Sequence, residues 1–337
     1  MYFNGKTVFF DLPPVITGSA GVVGKKEGEG PLRNEFDAIF EDTTMGQDSF
    51  ELAESAMQHA AIVRALSNAG KSPSDVSFAM TGDLLDQCVG SCFALKDLQI
   101  PFVGMYGACS TMALTLANAA MLVDGGAPCC VAGASSHFCS SERQFRFPLE
   151  YGGQRPPTAQ WTVTGAGSAV VEMQNEANSY CPKITAVNIG TITDLGIKDA
   201  NNMGAAMAPA AARTIKDFLH DTKTSAGDYD LILTGDLGYT GTELLHEILE
   251  IEYNLNIQSV HNDCGLMIYD LKKQDVNSGG SGCGCSASVL CSHILKRIKN
   301  GELNKVLFVA TGALMSPTST KQGQPIPGIA HAVLIQK

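Results

Sequence analysis

The chain has 337 residues, 45% of them apolar and 17% charged, with a formal net charge of −11. That length and balance fit one large globular domain or two fused ones. No basic stripe is available to neutralise phosphates, which excludes a nucleic-acid surface, and a small anionic ligand would need a local site set into an acidic protein.

The opening residues, MYFNGKTVFFDLPP, lack a basic segment followed by an apolar core, so they do not read as a signal peptide. The eleven cysteines are then expected reduced, in an intracellular compartment, and mostly as small buried hydrophobes. Cys88 and Cys92 lie one helical turn apart, and Cys283 and Cys285 flank a glycine, but the paired CxxC spacing of a structural zinc site is absent. No apolar run approaches the roughly 20 residues of a membrane span.

In chain order, an opening strand is expected over Val8–Gly18. FAMTGDL at 78–84 is an apolar strand ending in a turn. GACSTMAL at 107–114 opens a helix of about four turns over 109–123, roughly 20 Å long, which closes at Gly125. Short apolar strands follow at CCVAGASS (129–136) and, after a long segment, at GAGSAVVEM (165–173). The order then repeats: a strand over Ile184–Ile192, LILTGDL at 231–237, GCSASVL at 284–290 opening a helix over 285–299 that closes at Gly301, LFVATGAL at 307–314 and GIAHAVLIQ at 328–336. Thr-Gly-Asp-Leu recurs with Thr234 standing 153 residues after Thr81, the sign of an internal duplication.

Strands alternating with helices imply a mostly parallel sheet with right-handed crossovers, and continuous runs such as KVLFVA suit strands covered on both faces. The expected architecture is α/β. Two pseudo-repeated βαβαβ halves, residues 1–175 and 176–337, pack their sheets back to back around a shared layer of two central helices, as a five-layered α/β/α/β/α body. A cysteine at the first central helix of such a repeat resembles the thiolase superfamily, on the strength of the repeat, the GACS turn and the GGSGCGCSA segment.

A helix N-terminus carries unpaired N–H groups and partial positive charge, so a thiol there is expected to ionise easily. In thiolases and ketoacyl synthases the cysteine of this turn accepts an acyl group; Cys109 is its match here. Acyl transfer also needs a base and an oxyanion hole. Thiolases place a histidine in a Gly-His-Pro turn before the second central helix and a second cysteine near the C-terminus. The matching segments here, NSGGSGCGCSAS (277–288) and VATGALMS (309–316), hold neither, with Thr311 and Ala313 near the position of the second cysteine. His261 and Asn262 stand as substitutes of the kind ketoacyl synthases use. The resemblance thus implies a thiolase-like pocket turned to binding, without a catalytic residue or a cofactor.

A further set of stretches is similar to the stage V sporulation protein AD family of endospore-forming bacteria: GPLRNEFD (30–37), TGDLLDQ (81–87), residues 135–167, MGAAMAPAAARTI (203–215), HNDCGLMIYD (261–270) and GGSGCGCSA (279–287). That resemblance implies a non-enzymatic protein that binds dipicolinic acid (pyridine-2,6-dicarboxylate), alone or as its calcium chelate. It also implies a peripheral place at the inner forespore or spore membrane, in a transport machinery with integral-membrane partners. An acyltransferase using Cys109 and a scaffold with a vestigial pocket are the alternatives; a homodimer and a monomer within a larger complex stay open. For a dianion, the expected ligand residues are Cys109 and Ser110 of the turn, Ser135, Ser136 and His137 at the following strand end, and Arg143 and Arg146, with Arg155 further on, since arginine holds carboxylates in bidentate fashion. Asp83 and Asp236 repeat in both halves and read as structural caps. The 138–164 insertion, with Phe145, Phe147, Tyr151 and Trp161, is expected to wall the pocket or meet another subunit.

Overall fold

Pro13 and Pro14 divide the first apolar run, because proline has no N–H to give a ladder. The computed structural model, which describes residues 1–145 and 155–337, therefore has two strands where the sequence suggests one. Strand β2 (Thr7–Phe9) pairs with β1 (Tyr2–Asn4), and β3 (Val15–Gly24) begins after the prolines. The first half continues with α1 (Lys25–Gly28), β4 (Ala38–Phe40), α2 (Phe50–Asn68), β5 (Phe78–Gly82), α3 (Val89–Leu95) and β6 (Phe102–Gly104). It ends with α4 (Thr111–Asp124), β7 (Cys129–Ser136), α5 (Phe138–Phe145), β8 (Trp161–Thr162) and β9 (Gly165–Glu172). In the second half follow β10 (Lys183–Asn188), α6 (Met203–Thr222), β11 (Leu231–Thr234), α7 (Gly238–Tyr253), β12 (His261–Asp263), α8 (Cys264–Met267) and β13 (Gly280–Ser281). Then come α9 (Cys283–Val289), a π-helical turn (Leu290–Ile294), α10 (Leu295–Asn300), β14 (Lys305–Ala313), α11 (Pro317–Lys321) and β15 (Gly328–Gln336).

The pairing repeats as the sequence does. One half-sheet runs β3-β9-β7-β5-β6 and the other β10-β15-β14-β11-β12. In both, the last strand of the half (β9 or β15) is antiparallel to its two neighbours and the remaining pairs are parallel. The half-sheets also join edge to edge, through Lys183↔Val15 between β10 and β3 and through β2 on β10.

Helix α4 is apolar over most of its surface, which suits a largely buried helix, with Leu122 near its end exposed. Met112, Leu116, Ala120 and Val123 have no exposed surface, each large side chain contributing about 1.5–3 kcal/mol by burial. It lies between the half-sheets, touching β7 and β9 on one side and β14 and β15 on the other, with α9 beside it. Helix α2 covers the outer face of the first half-sheet and α6, backed by α7, that of the second. This is the thiolase-like five-layer arrangement. The second central helix begins at Cys283 rather than Cys285, so Cys285 sits inside the helix, fully buried. Among the described residues no helix is long and apolar enough to cross a membrane.

Candidate functional site: a cavity over Cys109

The Gly107–Ser110 turn is built from its own small residues. Ala108 has φ +50°, a left-handed conformation that costs a non-glycine residue free energy and persists where its surroundings enforce it. The enforcement is visible. Ser110 Oγ donates to the Gly107 carbonyl at 2.6 Å, Thr111 Oγ1 donates to the Ala108 carbonyl at 2.6 Å, and Gly107 N–H donates to Thr111 Oγ1 at 3.2 Å. The turn also rests on the second half: a Cβ at Gly312 of β14 would come within 2.5 Å of the Gly107 carbonyl.

Behind the Cys109 thiol lies Asp236, which follows β11. Its carboxylate accepts from Gly282 N–H at 2.8 Å, Thr311 Oγ1 at 2.8 Å and Ser281 Oγ at 3.3 Å. Gly282 has φ +97°, which only glycine adopts freely, so its N–H can reach the acid. Burial, partly offset by these donors, holds Asp236 up at about 6. Burial and the Asp236 charge push the Cys109 thiol well above its ordinary range. The easily ionised thiol implied by a helix N-terminus is thus not what the structure holds: desolvation and a facing carboxylate outweigh the helix end, and Cys109 stays protonated near neutral pH.

The thiol borders a small, partly open cavity. Leu84, Phe145, Met203, Ala313 and Met315 give apolar walls; Tyr106, Ser141, Glu142, Thr162 and Ser281 supply polar atoms. No lysine or arginine stands among its described lining residues. Helix α5 belongs to the 138–164 insertion and brings Ser141, Glu142 and Phe145 to the cavity. Strand β8 brings Thr162 and pairs with β13, which brings Ser281. The insertion therefore walls the cavity and stitches to the second half.

Of the expected ligand residues, Cys109 alone among the described ones lines this space, while Phe145 walls it as expected of the insertion and Ala313 lines it too. Ser110 Oγ is spent within its turn. Ser135 Oγ donates to Glu54 at 3.1 Å, and Ser136 Oγ donates to the Val163 carbonyl at 2.7 Å and accepts from Gly284 N–H at 3.1 Å. His137 Nδ1 accepts from Cys139 N–H at 3.2 Å, so Nε2 carries the proton donated to the Thr43 carbonyl at 2.9 Å. Arg143 forms an ion pair with Glu51 on the surface. These five brace the wall or its exterior. Arg146, Phe147 and Tyr151 lie outside the described residues. Arg155 sits 4.5 Å from the Trp161 ring centre and binds Asp275 at 2.8 Å, while Trp161 stacks on Phe138.

His261 is turned away, between His246 at 2.9 Å and Thr234 Oγ1 at 3.0 Å, and burial lowers it to about 3. Among the described residues no three metal-ligating side chains converge. Sequence reasoning missed Tyr106, Ser141, Met203, Ser281 and Met315; only the Ser141–Phe145 spacing, one helical turn, hinted that two residues of the insertion share a face.

A family model described as stage V sporulation protein AD matches residues 4–336. The chain belongs to that family. The stage V sporulation protein AD of Bacillus subtilis (strain 168) is 45% identical over 342 residues, spanning 100% of this chain and 98% of its own length. Membership gives the chain a role in sporulation. Among solved structures, cerulenin-bound OleA of Xanthomonas campestris is similar with a TM-score of 0.61 at 12% identity, covering all of both chains. The 3-oxoacyl-[acyl-carrier-protein] synthase III of Aquifex aeolicus VF5 is similar with a TM-score of 0.56 at 12% identity, covering 96% of this chain and 100% of its own. At such identity these two establish the fold.

Proposed function

We propose that this sporulation protein captures dipicolinic acid in the Cys109 cavity, without chemistry, as a peripheral component of the machinery that imports dipicolinate and calcium into the forespore. The observation that carries the reading is the Asp236–Cys109 pairing. A site for thioester attack needs a thiolate and a base to make it; here a buried carboxylate raises the thiol, and the histidine weighed as a helper faces elsewhere. What remains is a small, mostly apolar space with a few polar atoms, the form of a binding site. Calcium neutralises the two ligand carboxylates, so the chelate brings no net charge into a cavity whose described lining holds no lysine or arginine. Integral-membrane partners supply the membrane attachment in this reading.

Calorimetric titration of the purified protein with dipicolinate, with and without calcium, tests it. The 2,4-isomer of the dicarboxylate serves as control. Saturable binding that rejects the isomer and tightens with calcium is expected. Absence of saturable binding under both conditions overturns the reading.

A further inference from the structure

The cavity wall carries a polar group that the described residues leave without a partner. Ser141 is 2% exposed, and its Oγ makes no hydrogen bond. Five hydroxyls of the adjoining segments are engaged. Ser140 donates to Glu54 at 2.8 Å, Ser135 to Glu54 at 3.1 Å, Ser136 to the Val163 carbonyl, Thr162 to Glu142 at 3.1 Å and Ser281 to Asp236 at 3.3 Å. A buried donor without an acceptor is destabilising, and folded proteins leave few of them. Among the described residues ten buried polar atoms lack a partner, and Ser141 is the one of them on the lining of this cavity, which marks a contact completed from outside the chain. Its place on α5 is consistent: Phe145, four residues on, lines the same space, as residues one turn apart on a helix do.

We propose that Ser141 is a ligand-contacting, specificity-setting residue of this cavity. It donates its hydroxyl proton to one carboxylate oxygen of the bound pyridine dicarboxylate, with Phe145 against the ring. The inference rests on the dipicolinate reading above. Cys109 and Ser281 also line the cavity, and in this reading the second carboxyl group meets that part of the lining, which pyridine-2-carboxylate leaves unmet. Ser141 then sets part of the preference for the dicarboxylate.

Wild type, Ser141→Ala and Ser141→Cys are titrated with dipicolinate and with pyridine-2-carboxylate, and the thermal unfolding of each ligand-free protein is followed. Loss of the donor is expected to weaken dipicolinate binding about tenfold, the effect of one hydrogen bond, and to narrow the gap to the monocarboxylate. The cysteine variant, a weak donor, falls between. The ligand-free unfolding midpoint of Ser141→Ala stays level or rises, because an unsatisfied hydroxyl has been removed. If wild type binds dipicolinate and Ser141→Ala binds it equally well, the Ser141 assignment fails and the functional reading stands. A lowered midpoint with unchanged affinity also overturns the assignment, since the hydroxyl was then serving the fold. No binding by wild type overturns both.

Discussion

Asp83 and Asp236 occupy the same place in the two halves, each after a strand ending in Thr-Gly, and each is fully buried. Asp83 accepts from Leu85 N–H at 2.9 Å and from Ser91 N–H and Ser91 Oγ, both at 2.7 Å. All its donors come from the next eight residues, and it closes its own loop. Asp236 draws its donors from Ser281, Gly282 and Thr311, and it faces Cys109 from the other half. Duplication thus preserved the position, and packing of the halves decided the chemistry. The first half contributes the cysteine turn, the second contributes the acid behind it, and a cavity forms where they meet. The second-half cysteine, Cys285, has no such role, because its helix starts two residues earlier and carries it into the core.

The comparison can be broken hardest at the closing strands. Gly167 of β9 matches Ala330 of β15 in the repeat, but a Cβ at Gly167 would come within 2.1 Å of the Ala287 carbonyl of α9. Gly167→Ala is expected to destabilise by about 3 kcal/mol, as overpacking does, while Ala330→Gly costs about 1 kcal/mol. Denaturant unfolding of both variants checks this, and equal losses would refute the asymmetry.

A comparable effect follows from pH. Asp236 at about 6 and Asp263 at about 7 both lie above their ordinary value through burial. The folded state keeps protons that the unfolded state releases, so their stabilising share is full below about pH 4 and falls as pH rises through 6 and 7. Asp236→Asn removes one such group. Between pH 4 and 8 it should lose less stability than wild type, by on the order of 3 kcal/mol, about 1.4 kcal/mol for each pH unit of the shift. Matched pH–stability curves would contradict the account.

A smaller effect concerns reactivity. Burial still holds the Cys109 thiol up, but without the Asp236 charge it is held up less, so Asp236→Asn should raise its alkylation by iodoacetamide at pH 8. Asp83→Asn should leave the rate unchanged. Peptide mapping separates Cys109 from the exposed Cys92. The smallest effect is expected for Cys109→Ala, which should change dipicolinate affinity by about 1 kcal/mol or less, as a weak wall contact.

The fold was largely legible because its signals are local. CCVAGASS and GIAHAVLIQ coincide with β7 and β15, and the repeated Thr-Gly-Asp-Leu fixed the correspondence of β5 with β11. Where local signals mislead, chemistry explains it. The prolines at 13 and 14 split the first strand, and β10 ends at Asn188 rather than Ile192 because Gly190 packs against the Ala330 carbonyl, where a Cβ would lie at 1.7 Å. The site was legible at Cys109 and in the insertion that walls it through Phe145. Ser281 and Met315 reach the cavity, and Asp236 reaches the thiol behind it, through contacts between halves, which no spacing along the chain encodes. Ser135, Ser136 and His137 sit beside the cavity in sequence, yet strand alternation and the α5 turn direct their polar atoms into the wall.

The central claim is that the cavity over Cys109 captures a ligand and does not transfer acyl groups. Its most direct test is intact-protein mass measurement after incubation at neutral pH with a series of acyl-coenzyme A thioesters, followed by peptide mapping. The account predicts an unchanged mass and an unmodified Cys109 peptide with every thioester. Stoichiometric addition of an acyl group to Cys109 would contradict it.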